Sequence, residues 1–118
     1  MKIKDIAEIL SADILTADAD LDLEVFSACG CDMMSDVLAY VKNQAVLLTG
    51  LNNPQVIRTA EMMDMVCVVF VRGKIPDKTI LDMAADKGIA VLATDKTMFV
   101  ACGMLYAQGL MEEKKHER

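Results

Sequence analysis

The chain has 118 residues, 54% of them hydrophobic, and its eighteen acidic against twelve basic side chains leave a net charge of −6. That length builds one domain able to bury roughly 65% of its unfolded-chain surface. The acidic balance excludes a nucleic-acid backbone as partner, since that needs Lys and Arg against phosphates, and disfavours anionic membranes. No apolar run reaches the roughly 20 residues that span a bilayer.

In chain order, Lys2 to about Ala12 places Ile3, Ile6, Ile9 and Leu10 at helical spacing. A short strand is predicted around Ile14-Leu15-Thr16, then an aspartate-rich turn from Ala17 to Leu21. A second strand over Leu23–Ala28 shows partial alternation. Asp32 or Ser35 is placed to cap a helix running to about Lys42. The opening residues carry charges throughout and do not read as a signal peptide, so a cytoplasmic protein is expected.

Three apolar runs follow: Ala45 to Gly50, Val66 to Gly73 and Ile89 to Asp95. They start roughly twenty to twenty-five residues apart, the length of a strand, a turn and a crossover helix. Continuously apolar strands are buried on both faces, as in parallel sheets. The intervening helices are predicted over Pro54–Met65, Asp77–Lys87 and Lys96–Met111, with Pro54 in a first turn, Asn53 as its N-cap and Gly88 as a stop. The expected fold is α/β: a single domain, residues 1–111, with a mixed or mostly parallel sheet of about five strands flanked by helices. Residues 112–118 read as a charged tail.

In such sheets ligands sit beyond the carboxyl ends of the strands. That rule brings together Thr49, Gly50, Asn52 and Asn53, then Arg72, Gly73 and Lys74, then Thr94, Asp95, Lys96 and Thr97. The glycines permit close backbone approach, helix N-termini after Asn53 and at Lys96-Thr97 face an anion, Arg72 and Lys74 supply charge, and Asp95 is an acceptor. A small anionic or nucleotide-like effector is the expected ligand. The same residue types also make ordinary turns, so both readings stand open. Neither a dinucleotide fingerprint nor a P-loop is present.

Cys29 and Cys31, one residue apart, form a thiol pair that can chelate a soft metal or act as a redox pair, or simply a turn with two half-buried thiols. Cys67 and Cys102 read as small core residues. Asp32 and Asp36, read as sharing a helix face, are a second candidate for a divalent ion. The only histidine, His116, lies in the tail, so no Ser-His or Cys-His arrangement forms within the fold. A non-enzymatic chain without a cofactor is expected. Met33, Met34, Met62, Met63 and Met65 read as core packing or an adaptable partner surface.

From Met98 to Met111 the only clearly polar side chain is Gln108. A helix apolar all round needs burial all round. A homodimer through Phe99, Cys102, Leu105 and Tyr106 is therefore expected, with the helix at Met33–Val41 as a second contact. Burial between the protein's own elements is the alternative.

The segments Ala45-Val-Leu-Leu-Thr-Gly50, Val68-Val-Phe-Val-Arg-Gly-Lys-Ile-Pro76 and Ile89-Ala-Val-Leu-Ala-Thr-Asp-Lys-Thr97, with Lys4 to Leu10 and Gly30 to Leu38, resemble the DRTGG domain family. That module accompanies phosphotransacetylases and paired-CBS proteins, also exists alone, and is related to the N-terminal domain of HPr kinase/phosphorylase. Where many members have Asp-Arg, this chain has Leu51-Asn52-Asn53-Pro54. Where many have Thr-Gly-Gly, it has Val71-Arg72-Gly73. The resemblance implies a regulatory, ligand-sensing or subunit-contact module without a reaction of its own, and leaves three functions to weigh: effector binding, docking to a catalytic protein partner, and a thiol or metal sensor.

Overall fold

A computed structural model describes residues 1–39 and 43–112. The elements run α1 (Ile3–Leu10), β1 (Asp13–Ile14), β2 (Ser27–Gly30), α2 (Met34–Val37), β3 (Ala45–Thr49), α3 (Gln55–Met62), β4 (Cys67–Phe70), α4 (Lys78–Asp86), β5 (Ala90–Ala93), α5 (Met98–Ala107) and β6 (Met111–Glu112). They build one mostly parallel sheet of six strands in the order β1-β5-β4-β3-β2-β6. β2 to β5 are parallel to one another and β6 to β2, while β1 is antiparallel to β5. The α/β architecture expected from the three apolar runs is thus present.

Every residue of β3, β4 and β5 is buried. Successive side chains point to opposite faces of a strand. Val46, Leu48, Val69 and Leu92 therefore enter one core with Ile3, Ile6 and Leu10 of α1 and Ala101 and Leu105 of α5. Leu47, Val68, Phe70 and Val91 enter the other with Met34 and Val37 of α2, Val56 and Ile57 of α3, and Ile80 and Ala84 of α4. Two helical layers enclose the sheet because, Thr49 at the end of β3 apart, these three strands carry only apolar side chains.

Several boundaries differ from the sequence expectations. β1 begins at Asp13 rather than Ile14, because Thr16 leaves the strand to accept a hydrogen bond from Val91 N at 3.1 Å. β2 lies at Ser27–Gly30 instead of Leu23–Ala28, since its register against β3 pairs Ser27 with Ala45; Glu24 makes only an isolated bridge to Lys2. α2 is one turn ending at Val37, short of the helix expected to Lys42; residues 40–42 lie outside those described. Its N-cap is Met33, not Asp32 or Ser35. Pro54 occupies the N-cap position of α3, and Asn53 caps from one residue earlier by accepting from Gln55 N at 2.8 Å. Asp77 caps α4 by accepting from Ile80 N at 3.1 Å, and Gly88 follows with φ +71°. α5 ends at Ala107, where Gly109 at φ +102° turns the chain into β6. Glu112, assigned to the tail from sequence, is paired with Ala28 in that strand; the rest of the tail, residues 113–118, lies outside those described, His116 included.

α5 approaches the end of β2 closely. A Cβ on Gly30 would stand 2.6 Å from Cys102 Sγ and 3.3 Å from Met98 Sδ, both on α5. Cysteine has no long stem to swing aside, so the helix itself must yield. Gly30→Ala is expected to cost about 1–3 kcal/mol, the range for overpacked interiors, read as a lower urea midpoint at unchanged slope. Adding Cys102→Ala should recover part of the loss.

Candidate functional site

The carboxyl ends of four neighbouring parallel strands meet at one edge. Cys31 and Asp32 follow β2, Thr49 and Gly50 close β3, Val71 to Lys74 follow β4, and Thr94 to Thr97 follow β5. The loops are tied laterally by the backbone: Cys31 N donates to Leu48 O at 3.0 Å, Val71 N to Thr49 O at 3.0 Å, Arg72 N to Lys96 O at 2.8 Å and Gly73 N to Thr94 O at 2.9 Å.

At the centre is a carboxylate. Asp32 Oδ1 accepts from Gly50 N at 2.7 Å and from Thr49 Oγ1 at 3.2 Å, while its Oδ2 lies 3.8 Å from Arg72 Nη1. The Arg72 guanidinium rests on the Gly50 peptide, where a Cβ would come within 2.2 Å of Nη2. Only glycine leaves room for that contact. Arg72 itself has φ +61°, a left-handed conformation that costs an L-residue roughly 1–2 kcal/mol. Both charged side chains remain about half exposed, at 45% for Arg72 and 47% for Asp32. Lys74 and Asp95 are exposed and Lys96 half-buried on the same rim, with Asp95 Oδ1 3.6 Å from where a Gly73 Cβ would stand.

The residues expected to bind an effector therefore all lie at this edge or on the loops leaving it, with different occupations. Thr49 is buried and donates to Asp32 while accepting from Leu51 N at 3.1 Å. Asn52 Nδ2 donates to Ile75 O at 3.2 Å and Asn53 serves α3. Thr94 is buried, with its hydroxyl donating to Leu10 O at 2.8 Å, which directs it into the core layer of α1. Thr97 caps α5, accepting from Val100 N at 3.3 Å. Arg72, Gly73, Lys74 and Asp95 form the solvent side, with Gly50 buried beneath the Arg72 guanidinium. Asp32 is the residue sequence reasoning placed elsewhere, as a helix cap or half of an Asp32–Asp36 ion site. It precedes α2 instead of sharing its face with Asp36. The rule that located Arg72 would have found it, once β2 was known to end at Gly30.

The thiols are dispersed. Cys29 and Cys31 are half-buried, in no disulfide, and packed against the core shared by α2, α3 and α4. Cys31 Sγ accepts from Met33 N at 3.3 Å and lies 3.4 Å from Met33 O. Among the described residues no group of three or more His, Cys, Asp or Glu side chains is placed to hold a metal ion. Cys102 is half-buried rather than a core residue, and burial raises its thiol pKa. Of the methionines, Met34 and Met65 are buried as expected, whereas Met33 and Met62 are exposed.

The dimer residues also separate. Leu105 is 1% exposed and belongs to the core, because it shares the inward face of α5 with Ala101. Phe99 is 88% and Tyr106 58% exposed. Cys102 lies between them at the border, beside Gly103 and Ala107 in a shallow apolar groove.

Fold and edge together define a small parallel α/β domain with a polar, charge-bearing carboxyl rim. The chain belongs to the DRTGG domain family, whose model matches residues 5–107. Among solved structures it is similar to the CBS and DRTGG domains of the regulatory region of Clostridium perfringens pyrophosphatase, complexed with its activator diadenosine tetraphosphate. The TM-score is 0.75 at 17% identity, covering 98% of this chain and 51% of that one. The chain thus spans about half the length of that regulatory region. No curated protein matches it in sequence, and no described helix is long and apolar enough to cross a membrane.

Cys67 gives the fold a pH signature. Complete burial pushes its thiol pKa from 9.0 up to about 12. The unfolded chain then releases that proton near pH 9 while the folded chain keeps it. This contribution is constant below pH 9 and lost as pH rises toward 12. Urea unfolding at pH 8 and pH 10 should show the decline, and Cys67→Ala should flatten part of it.

Proposed function

We propose that the chain is a non-catalytic regulatory module that binds a small anionic, nucleotide-like effector at the carboxyl rim of its sheet and transmits its occupancy to a catalytic protein partner. The observation that carries this reading is Arg72. In an acidic chain it is fixed in left-handed backbone, over a bare glycine peptide, among Lys74 and Lys96. Unusual backbone of this kind clusters at ligand clamps. The similarity to a regulatory region that binds diadenosine tetraphosphate supports the same class of ligand here. The reading gives the protein no cofactor and no reaction. A thermal-shift screen against adenine and guanine nucleotides, diadenosine tetraphosphate, acyl phosphates and phosphosugars tests it. A ligand at a hundred times its Kd adds about 2.7 kcal/mol to the folded state, a shift of several degrees. Arg72→Ala should abolish that shift yet barely move the unliganded midpoint, since a half-exposed ion pair is worth about 0–1 kcal/mol.

Self-association is a second reading, favoured by the exposed face of α5. Phe99, Val100, Gly103 and Tyr106 present an apolar surface with no formal charge at pH 7, on which two acidic copies can meet without repulsion. Phe99→Glu is expected to halve the mass seen by light scattering while leaving the urea midpoint of the monomer within about 0.5 kcal/mol. Leu105→Glu would unfold the chain instead, because its side chain faces the core.

A further inference from the structure

Resting on the effector-site reading, we infer that Asp32 is a built-in competitor: its carboxylate occupies the oxyanion position of the site, and a phosphate-bearing ligand binds by displacing it. Three donors from the ends of two neighbouring strands, β3 and β4, converge on this one side chain: the Gly50 N–H, the Thr49 hydroxyl and the Arg72 guanidinium. A backbone N–H beside glycine, a hydroxyl and an arginine form the donor set that receives a phosphoryl oxygen. The carboxylate fills it incompletely. Gly50 N is at 2.7 Å, but Arg72 stays 3.8 Å away, beyond hydrogen-bond reach. A tetrahedral anion, with more oxygens than a planar carboxylate, can satisfy the backbone donor and the guanidinium together.

The mounting of Asp32 allows it to leave. It is half exposed, sits in the three-residue link between β2 and α2, and α2 is a single turn. The donors, in contrast, belong to a frame laced by backbone hydrogen bonds at 2.8–3.0 Å. Ligand entry therefore costs the release of the weak Arg72 pair and of the hydrogen bonds from Gly50 N and Thr49 Oγ1, donors that the ligand's oxygens take over, and it moves the segment carrying Met33 and Met34. Of these, Met33 is exposed and Met34 is in the core shared by α2, α3 and α4, so site occupancy reaches the packing of α2. A self-occupied site also lowers apparent affinity by the fraction of molecules in which it is open.

The test is calorimetric titration of the full chain with inorganic tripolyphosphate and with diadenosine tetraphosphate, on wild type, Asp32→Ala, Asp32→Asn and Arg72→Ala. Asp32→Asn keeps an acceptor for Gly50 and Thr49, which guards against loss of the fold; circular dichroism checks each variant. Removing the competitor should tighten binding roughly tenfold in Asp32→Ala and less in Asp32→Asn, whereas Arg72→Ala should lose it. Tightening with both probes assigns the site to the phosphate chain itself, and tightening with diadenosine tetraphosphate alone assigns it to a nucleotide polyphosphate. Wild-type binding lost in Arg72→Ala but unchanged or weaker in Asp32→Ala and Asp32→Asn overturns the competitor and leaves the effector site standing. Absence of binding by all four proteins overturns both. Binding that Arg72→Ala leaves intact places the anion elsewhere and also overturns both.

Discussion

Burial of three central strands on both faces is the constraint from which the rest of the structure follows. With β3, β4 and β5 inaccessible throughout, each strand needs apolar cover above and below. Three successive crossovers put α2, α3 and α4 on one side. The opposite side is closed by α1 at the beginning and α5 near the end, with Val25 and Leu110 beside them. A sheet enclosed in this way has two places where polar groups can meet water, the strand ends, and the carboxyl end gathers loops from four adjacent strands. Chemistry collects there because the interior excludes it.

That same constraint decided what could be read from the sequence. The runs at Ala45, Val66 and Ile89 are long, uninterrupted and bounded by turn residues, so strand type, parallel pairing and the location of Arg72 and Asp95 were all legible. β1 was legible only as a short strand with shifted bounds and β6 not at all, because two-residue strands have no periodicity; they exist through pairing with β5 and β2. β2 was displaced because its alternation at Leu23 and Val25 reflects packing beside α1 rather than a ladder. That shift hid Asp32: its partners Gly50 and Arg72 are remote in sequence and become neighbours only through register. The end of α5 was missed for the opposite reason, since its apolar character continues past Ala107 through Leu110 and Met111.

The rim combines a rigid frame with a loosely held pair. Asn52, Asn53, Thr94 and Thr97 are engaged with the protein's own backbone, fixing loop shape. Arg72 and Asp32 are joined by a longer, solvent-washed contact. Turn chemistry thus accounts for the four engaged side chains, and Arg72 is not among them.

The shortness of β1 and β6 has its own outcome. Among the described residues each outer strand has two residues, whereas the strands they flank have four. An open sheet rich in Val and Leu is a template for adding foreign strands, and proteins blunt that hazard with very short edges. Here the aliphatic ladders are kept inside, and Asp13 stands on one outer strand. Fibril-like stacking through the backbone is thereby denied a foothold. Among the described residues the most exposed large apolar side chain, Phe99 at 88%, stands on α5 and not on a strand, so it offers a neighbour a side chain and no backbone ladder.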